Sequence, residues 1–173
     1  MKNFEYCAYT YRHRQAIKYL IPKLIKDENI KKEMMKRANV HDMDKLILYQ
    51  FLDKKQASKY HRETSPHHMT NDLPKTYFDK LEAIIDYESA GYTKPDKPLN
   101  AFDTINRFKQ EKLLPENLCN ELLQICKEYG IDKSYFVTTD SIGMKELERF
   151  NNVTEEMIYN DIINYFLSKE IEN

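Results

Sequence analysis

The sequence predicts an all-α protein, on three observations. Apolar residues recur at three- and four-residue spacing along nearly the whole chain. Glycine, the usual residue of tight hairpins and phosphate-cradling loops, occurs only three times in 173 residues. The one stretch with β propensity, Tyr135-Phe136-Val137-Thr138-Thr139, stands alone, and a single strand has nothing to pair with.

Ile17, Leu20, Ile21, Leu24 and Ile25 form one stripe, which predicts a helix over about residues 8–27. A short helix near 30–38 carries Met34 and Met35, and Leu46, Ile47, Tyr49, Phe51 and Leu52 predict another after residue 42. Residues 53–72 are polar and contain Pro66, and they read as a loop or a broken helix. Pro74 suits the first turn of the next helix, which carries Phe78, Leu81 and Ile85 to about Ala90, with Gly91 as its terminator. A proline-punctuated connector over 92–98 leads to a helix with Leu99, Phe102, Ile105 and Phe108. Pro115-Glu116 opens the next, with Leu118, Leu122, Ile125, Cys126 and Tyr129 inside. The 135–139 stretch reads as loop or short helix. Thr154, followed by Glu155 and Glu156, caps a last helix marked by Met157, Ile158, Ile162 and Phe166.

The chain is long enough to bury a core as one domain. With 27 basic and 28 acidic residues and a net charge of −1, it lacks the basic excess of a general nucleic-acid binder. No apolar run approaches membrane-spanning length. The first residues carry no apolar targeting segment, so a cytoplasmic protein is expected. Cys7, Cys119 and Cys126 contain no CxxC pair, and Cys119 and Cys126 fall on one helical face with Leu122, as core thiols do.

The chemical signal lies in the histidines. All five, His13, His41, His61, His67 and His68, fall in the first 68 residues. His13 sits four residues before Ile17, near the buried stripe, where a histidine taken alone is more often a core residue than a ligand. Asp86 lies among apolar residues in Leu81-Glu82-Ala83-Ile84-Ile85-Asp86-Tyr87, and burying an unpaired carboxylate is costly without a metal or a cation. Glu82 lies one turn earlier on the same face. Imidazoles with carboxylates suit a divalent first-row metal: Mn or Fe, with Zn, Ni, Co or Mg as alternatives. Adjacent His41 and Asp42 reach one site only if the backbone kinks or frays, because neighbouring helical side chains diverge by about 100°. Alternatively, Asp42 bridges two ions, one on each side.

The order His13, His41-Asp42-Met43-Asp44-Lys45, His61, His67-His68, Asp86 resembles the HD-domain superfamily of helical metal-dependent phosphohydrolases. Its closest likeness is to the binuclear branch, whose pattern is H…HD-x-x-K…H…HH…D, as in the HD-GYP phosphodiesterases. The chain also resembles an uncharacterised bacterial and phage family of HD-like proteins. The resemblance implies an HD-domain-like helical bundle over residues 1–92, with residues 93–173 as a helical extension packed on it. It implies that His13, His41 and Asp86 hold one ion, that His61, His67 and His68 hold a second, and that Asp42 bridges them. Lys45 would stabilise phosphate charge, which makes Asp42 and Lys45 the candidate catalytic residues.

Two departures matter. No Gly-Tyr-Pro follows His67-His68, since Gly91-Tyr92-Thr93 comes too late, so a cyclic dinucleotide specificity is not carried over. Residue 9, one turn before His13, is Tyr rather than an acid, which argues against a third metal.

The expected function is metal-dependent hydrolysis of a nucleotide or another phosphorylated small molecule. The alternatives are a di-iron oxygenase of HD type and a non-enzymatic, metal-stabilised binding or interaction protein. The segment 97–173 carries no catalytic-looking residues and leaves a homodimer open as one of its uses.

Overall fold

A computed structural model describes residues 1–171; residues 172 and 173 of the expected extension lie outside the described residues. The chain is all-α, and no strand occurs among the described residues. In order, the helices are α1 (Phe4–Leu24), α2 (Glu28–Val40), α3 (Met43–Leu48), α4 (Lys54–Thr64), α5 (Tyr77–Thr93), α6 (Ala101–Gln110), α7 (Glu116–Glu128), α8 (Ile142–Leu147) and α9 (Glu155–Ile171). A short 3-10 turn, Glu148–Phe150, follows α8. No helix is long and apolar enough to cross a membrane.

Local chemistry explains where these boundaries differ from the sequence expectation. α1 stops at Leu24 rather than 27 because the Asp27 side chain caps α2, accepting from the backbone N–H groups of Asn29 and Ile30. Capping requires extended backbone, so Ile25 has already left the helix. Within the polar stretch 53–72, residues 54–64 form the regular helix α4. Its start is a reciprocal capping box between Asp53 and Gln56. Pro74 lies before α5 rather than in its first turn, because Thr76 and Asp79 form the capping box that sets the start at Tyr77. Gly91 does not end α5, which runs on to Thr93. A Cβ at Gly91 would meet Val137 Cγ2 at 3.2 Å, so this glycine serves a close approach of the 135–139 loop.

Two apolar clusters hold the helices together. The larger joins Ile17, Leu20 and Ile21 of α1 with Met34 of α2, Leu81, Ile84 and Ile85 of α5, Ile105 of α6, and Leu122 and Cys126 of α7. Residues from the first half of the chain and from α6 and α7 therefore share one core. The smaller cluster sets Cys7 against Met43, Leu46 and Tyr49, closed over by Ile158 of α9. All three cysteines are buried free thiols. α1 runs through both clusters, and the histidines gather on its flank between α3, α4 and α5.

Candidate metal centre

Five segments supply the site. α1 carries His13, and the α2–α3 junction carries His41 and Asp42. α4 carries His61, the loop after it carries His67 and His68, and α5 carries Glu82 and Asp86.

The junction is a sharp elbow. His41 ends α2 with extended ψ, and Asp42 adopts the left-handed conformation at φ 55° and ψ 12° before α3 begins. Asp tolerates this region better than most residues. The elbow lets adjacent side chains converge: His41 Nε2 lies 3.5 Å from Asp42 Oδ1.

His67 and His68 are placed by a turn. Pro66 follows Ser65, and the His68 N–H donates to the Ser65 carbonyl at 3.1 Å, with proline in its favoured second position. Asn71 then pins the loop, its Nδ2 donating to the carbonyls of Arg62 and Ser65 at 2.8 Å each. Lys75 Nζ donates to the His68 carbonyl at 2.8 Å.

The donors surround Asp42. His61 Nε2 is 2.9 Å and His67 Nε2 3.7 Å from Asp42 Oδ1, while His13 Nε2 is 4.0 Å from Oδ2. His13 Nε2 also lies 2.9 Å from Asp86 Oδ1. His68 packs its ring on His61 and His67, at centroid separations of 4.7 and 4.6 Å. Three overlapping groups result: His13/His41/Asp42, His41/His67/Asp86 and His61/His67/His68. Within each, the donor atoms lie within 4.8 Å of one another.

The tautomers follow from the outer partners. Ser89 Oγ donates its single proton to the Asp86 carbonyl at 2.7 Å, so toward His13 Nδ1, at 3.2 Å, it acts as acceptor. With its proton on Nδ1, His13 would turn the Nε2 lone pair toward the site, where a bound ion could take it. His41 Nδ1 donates to Glu82 Oε1 at 2.8 Å, and His67 Nδ1 lies 3.4 Å from the same oxygen. His61 Nδ1 donates to Asp44 at 2.9 Å. Arg37 secures the arrangement from outside, donating to Glu82 Oε2 at 3.2 Å and Asp79 Oδ1 at 2.8 Å. Imidazole metal ligands are held in this way, by a carboxylate or hydroxyl on the far nitrogen.

The decisive observation is what the inner nitrogens lack. Nε2 of His41, His61 and His67 is buried with no hydrogen-bond partner. His61 Nε2 does have Asp42 Oδ1 beside it at 2.9 Å, as an ion-pair contact. Three orphaned imidazole nitrogens in one place would each cost free energy. Donor atoms about 3 Å apart are the spacing of two ligands about 2.1 Å from one ion. The cluster is therefore able to hold a divalent metal ion. No family model, curated protein or solved structure matches this chain. The chemistry rests on the geometry of the site.

The electrostatics keep the two carboxylates ionised, while His41, despite its burial, is raised by Asp42 and Glu82. Burial pushes the Asp42 carboxyl up, but His41, Lys45 and His61 outweigh it and hold the group well below the usual carboxylate range. Asp86 is likewise held down, against its burial, by His13, His41 and His67. Burial and the neighbouring His41 push His67 down to about 3, and burial with His61 pushes His68 down to about 4. Both rings are thus neutral at pH 7, the state a metal requires. His61 behaves oppositely: burial lowers it, but Asp42 and Asp44 carry it up to about 9.

The residues that sequence reasoning missed are the outer partners Asp44, Ser65, whose Oγ lies 3.1 Å from His61 Nδ1, Ser89, Arg37 and Asp79. Asp44 and Ser89 are marked only by nearness to candidate ligands, two and three residues away; the rings that they hold, His61 and His13, lie 17 and 76 residues distant. Arg37 and Asp79 carried no such signal, because they meet through helix packing. Glu82, expected on the same face as Asp86, faces two histidines at once. Glu82→Gln is expected to weaken metal binding about tenfold, by losing the charge-assisted hold on both rings. A Mn²⁺ titration reads this directly, and wild-type affinity in the variant would show that the rings stay aligned without the carboxylate.

Proposed function

We propose that the protein is a divalent-metal-dependent phosphohydrolase acting on a nucleotide or another phosphate ester, the activity that the HD-domain resemblance implies. The observation that carries this reading is the set of three orphaned, buried imidazole nitrogens gathered around Asp42. In this reading His13, His41 and Asp86 hold one ion and His61, His67 and His68 the second, with Asp42 between them and Mn or Fe as the metal. Bound there, divalent ions acidify water and draw charge from phosphoryl oxygens.

The chain's own groups do the rest. Asp42 keeps its carboxylate ionised between the two histidine sets. Lys45 Nζ lies 3.0 Å from Asp42 Oδ2. Burial disfavours its charge, but Asp42 more than compensates and holds it firmly protonated. As a compact cation one turn past Asp42, Lys45 would receive phosphate charge. Glu82 and Asp44 keep the rings from turning, so their lone pairs stay aimed inward. A cavity of ≈ 800 Å³ beside the cluster touches Val40, His41, Asp42, Tyr60, His67 and Tyr165, and its size falls in the range of small-molecule sites. Three buried free thiols fit the reducing cytoplasm that this reading assumes.

The test is metal content by mass spectrometry after dialysis without chelator, followed by anaerobic phosphate release from nucleotides and simple phosphoesters with Mn²⁺ or Fe²⁺. The expected result is about two equivalents of metal and metal-dependent release. A protein that neither carries nor takes up metal would sink the reading. Substrate-dependent oxygen uptake would identify an oxygenase instead, and tight ligand binding without turnover a binding protein.

A further inference from the structure

Arg14 follows His13 on α1 and is fully buried, at 0% exposure. A buried guanidinium needs partners for its donors. Nη1 donates to the His41 carbonyl and Nη2 to the Asn39 carbonyl at 3.1 Å. Nε and Nη2 also donate to the two carboxylate oxygens of Asp161, at 3.1 and 3.2 Å, a two-point fork. Asp161 lies on α9, 147 residues along the chain.

The two carbonyls are at the end of α2, where a helix leaves its last carbonyls without internal partners. They flank the elbow that turns His41 and Asp42 toward one another. Asp42 makes no side-chain cap of its own to α3. Arg14 thus binds the elbow from behind, and Asp161 fixes the plane of the guanidinium.

We propose that Asp161 is a positioning residue of the metal centre: through Arg14, the C-terminal helix sets the His41–Asp42 elbow at which His13, His41 and Asp42 converge. The inference rests on the metal reading above. It assigns α9 a role although it contributes no ligand. The ion on the His13–His41 side depends on Asp161 more than the ion on the His61–His67–His68 side, which Arg14 does not touch.

The experiment is a calorimetric Mn²⁺ titration of the full chain, wild type beside Asp161→Asn and Asp161→Glu, with helix content followed by circular dichroism. Asp161→Asn is expected to weaken the more sensitive of two binding events about 10- to 100-fold, the range for loss of an outer partner. The other event changes less, and Asp161→Glu recovers most of the loss. The double variant Arg14→Met/Asp161→Leu replaces the pair, a buried Arg14 and a partly exposed Asp161, by apolar side chains, which keeps α9 packed. It decides the matter if Asp161→Asn loses helix content, because it too must show the split loss. Both events unchanged, or both weakened equally, in a folded variant overturns the proposal while leaving the metal reading intact. A wild-type chain that binds no Mn²⁺ overturns both.

Discussion

On the proposed binuclear reading, Asp42→Asn is expected to remove both metals and the activity together while leaving helix content intact. Asp42 is 4% exposed and its two oxygens face different histidines, His13 across Oδ2 and His41, His61 and His67 across Oδ1. Asparagine keeps the shape and tolerates the left-handed conformation at φ 55°. What it loses is the negative charge and one of the two acceptor oxygens. The loss in affinity should exceed the roughly 10- to 100-fold typical of an outer partner, because a direct ligand goes. Asp42→Ala would do the same but adds strain of about 1–2 kcal/mol at the turn, so the asparagine variant reads the chemistry more cleanly. Metal analysis and circular dichroism of the purified variant provide the check. Full metal occupancy in Asp42→Asn would mean that the ligand assignment is wrong.

The second large effect is on pH. In the metal-free protein His61 titrates at about 9, because Asp42 and Asp44 outweigh its burial. A metal takes only the neutral ring, so binding at pH 7 must expel a proton. Affinity for the ion at His61, His67 and His68 should therefore rise about 50-fold from pH 7 to pH 9 as that cost disappears. His67 and His68, at about 3 and 4, are neutral throughout this window and add nothing to the slope. The stability of the metal-free protein runs the other way. A histidine raised in the folded state stabilises it fully below the unfolded value near 6.5, and that contribution is lost as pH rises through about 9. Between pH 7 and pH 9 the His61 contribution to the stability of the metal-free protein therefore falls as metal affinity rises. Anaerobic Mn²⁺ titrations at pH 7, 8 and 9, in buffers of different ionisation enthalpy, measure both affinity and proton release. A flat affinity with no proton released would show that His61 either is neutral in the metal-free protein or is not a ligand.

Much of this protein is legible in one dimension. Helical periodicity identified α1, α5, α6 and α7, because a stripe such as Ile17–Leu20–Ile21–Leu24 can bury itself in only one way. The polar helix α4 was obscured: it buries only Ala57 and His61, too few apolar positions to show a period, and its Asp53–Gln56 capping box was the available signal. α8 was missed for the same reason, with Gly143 its one buried residue.

The donor types and their order are also a property of the sequence, since His, Asp and Lys can be counted along the chain. Their convergence is a property of the fold. His13 and Asp86 meet because α1 packs against α5, and His41 and Asp42 meet because the backbone turns through a left-handed residue. Two histidines share one oxygen of Glu82 because α2, α5 and the Pro66 turn come together there. The Arg14–Asp161 fork, across 147 residues, left no trace in local pattern. Hydrophobic burial is dictated residue by residue and so is written in periodicity. The alignment of lone pairs depends on how helices dock, and docking is decided by the packed chain as a whole.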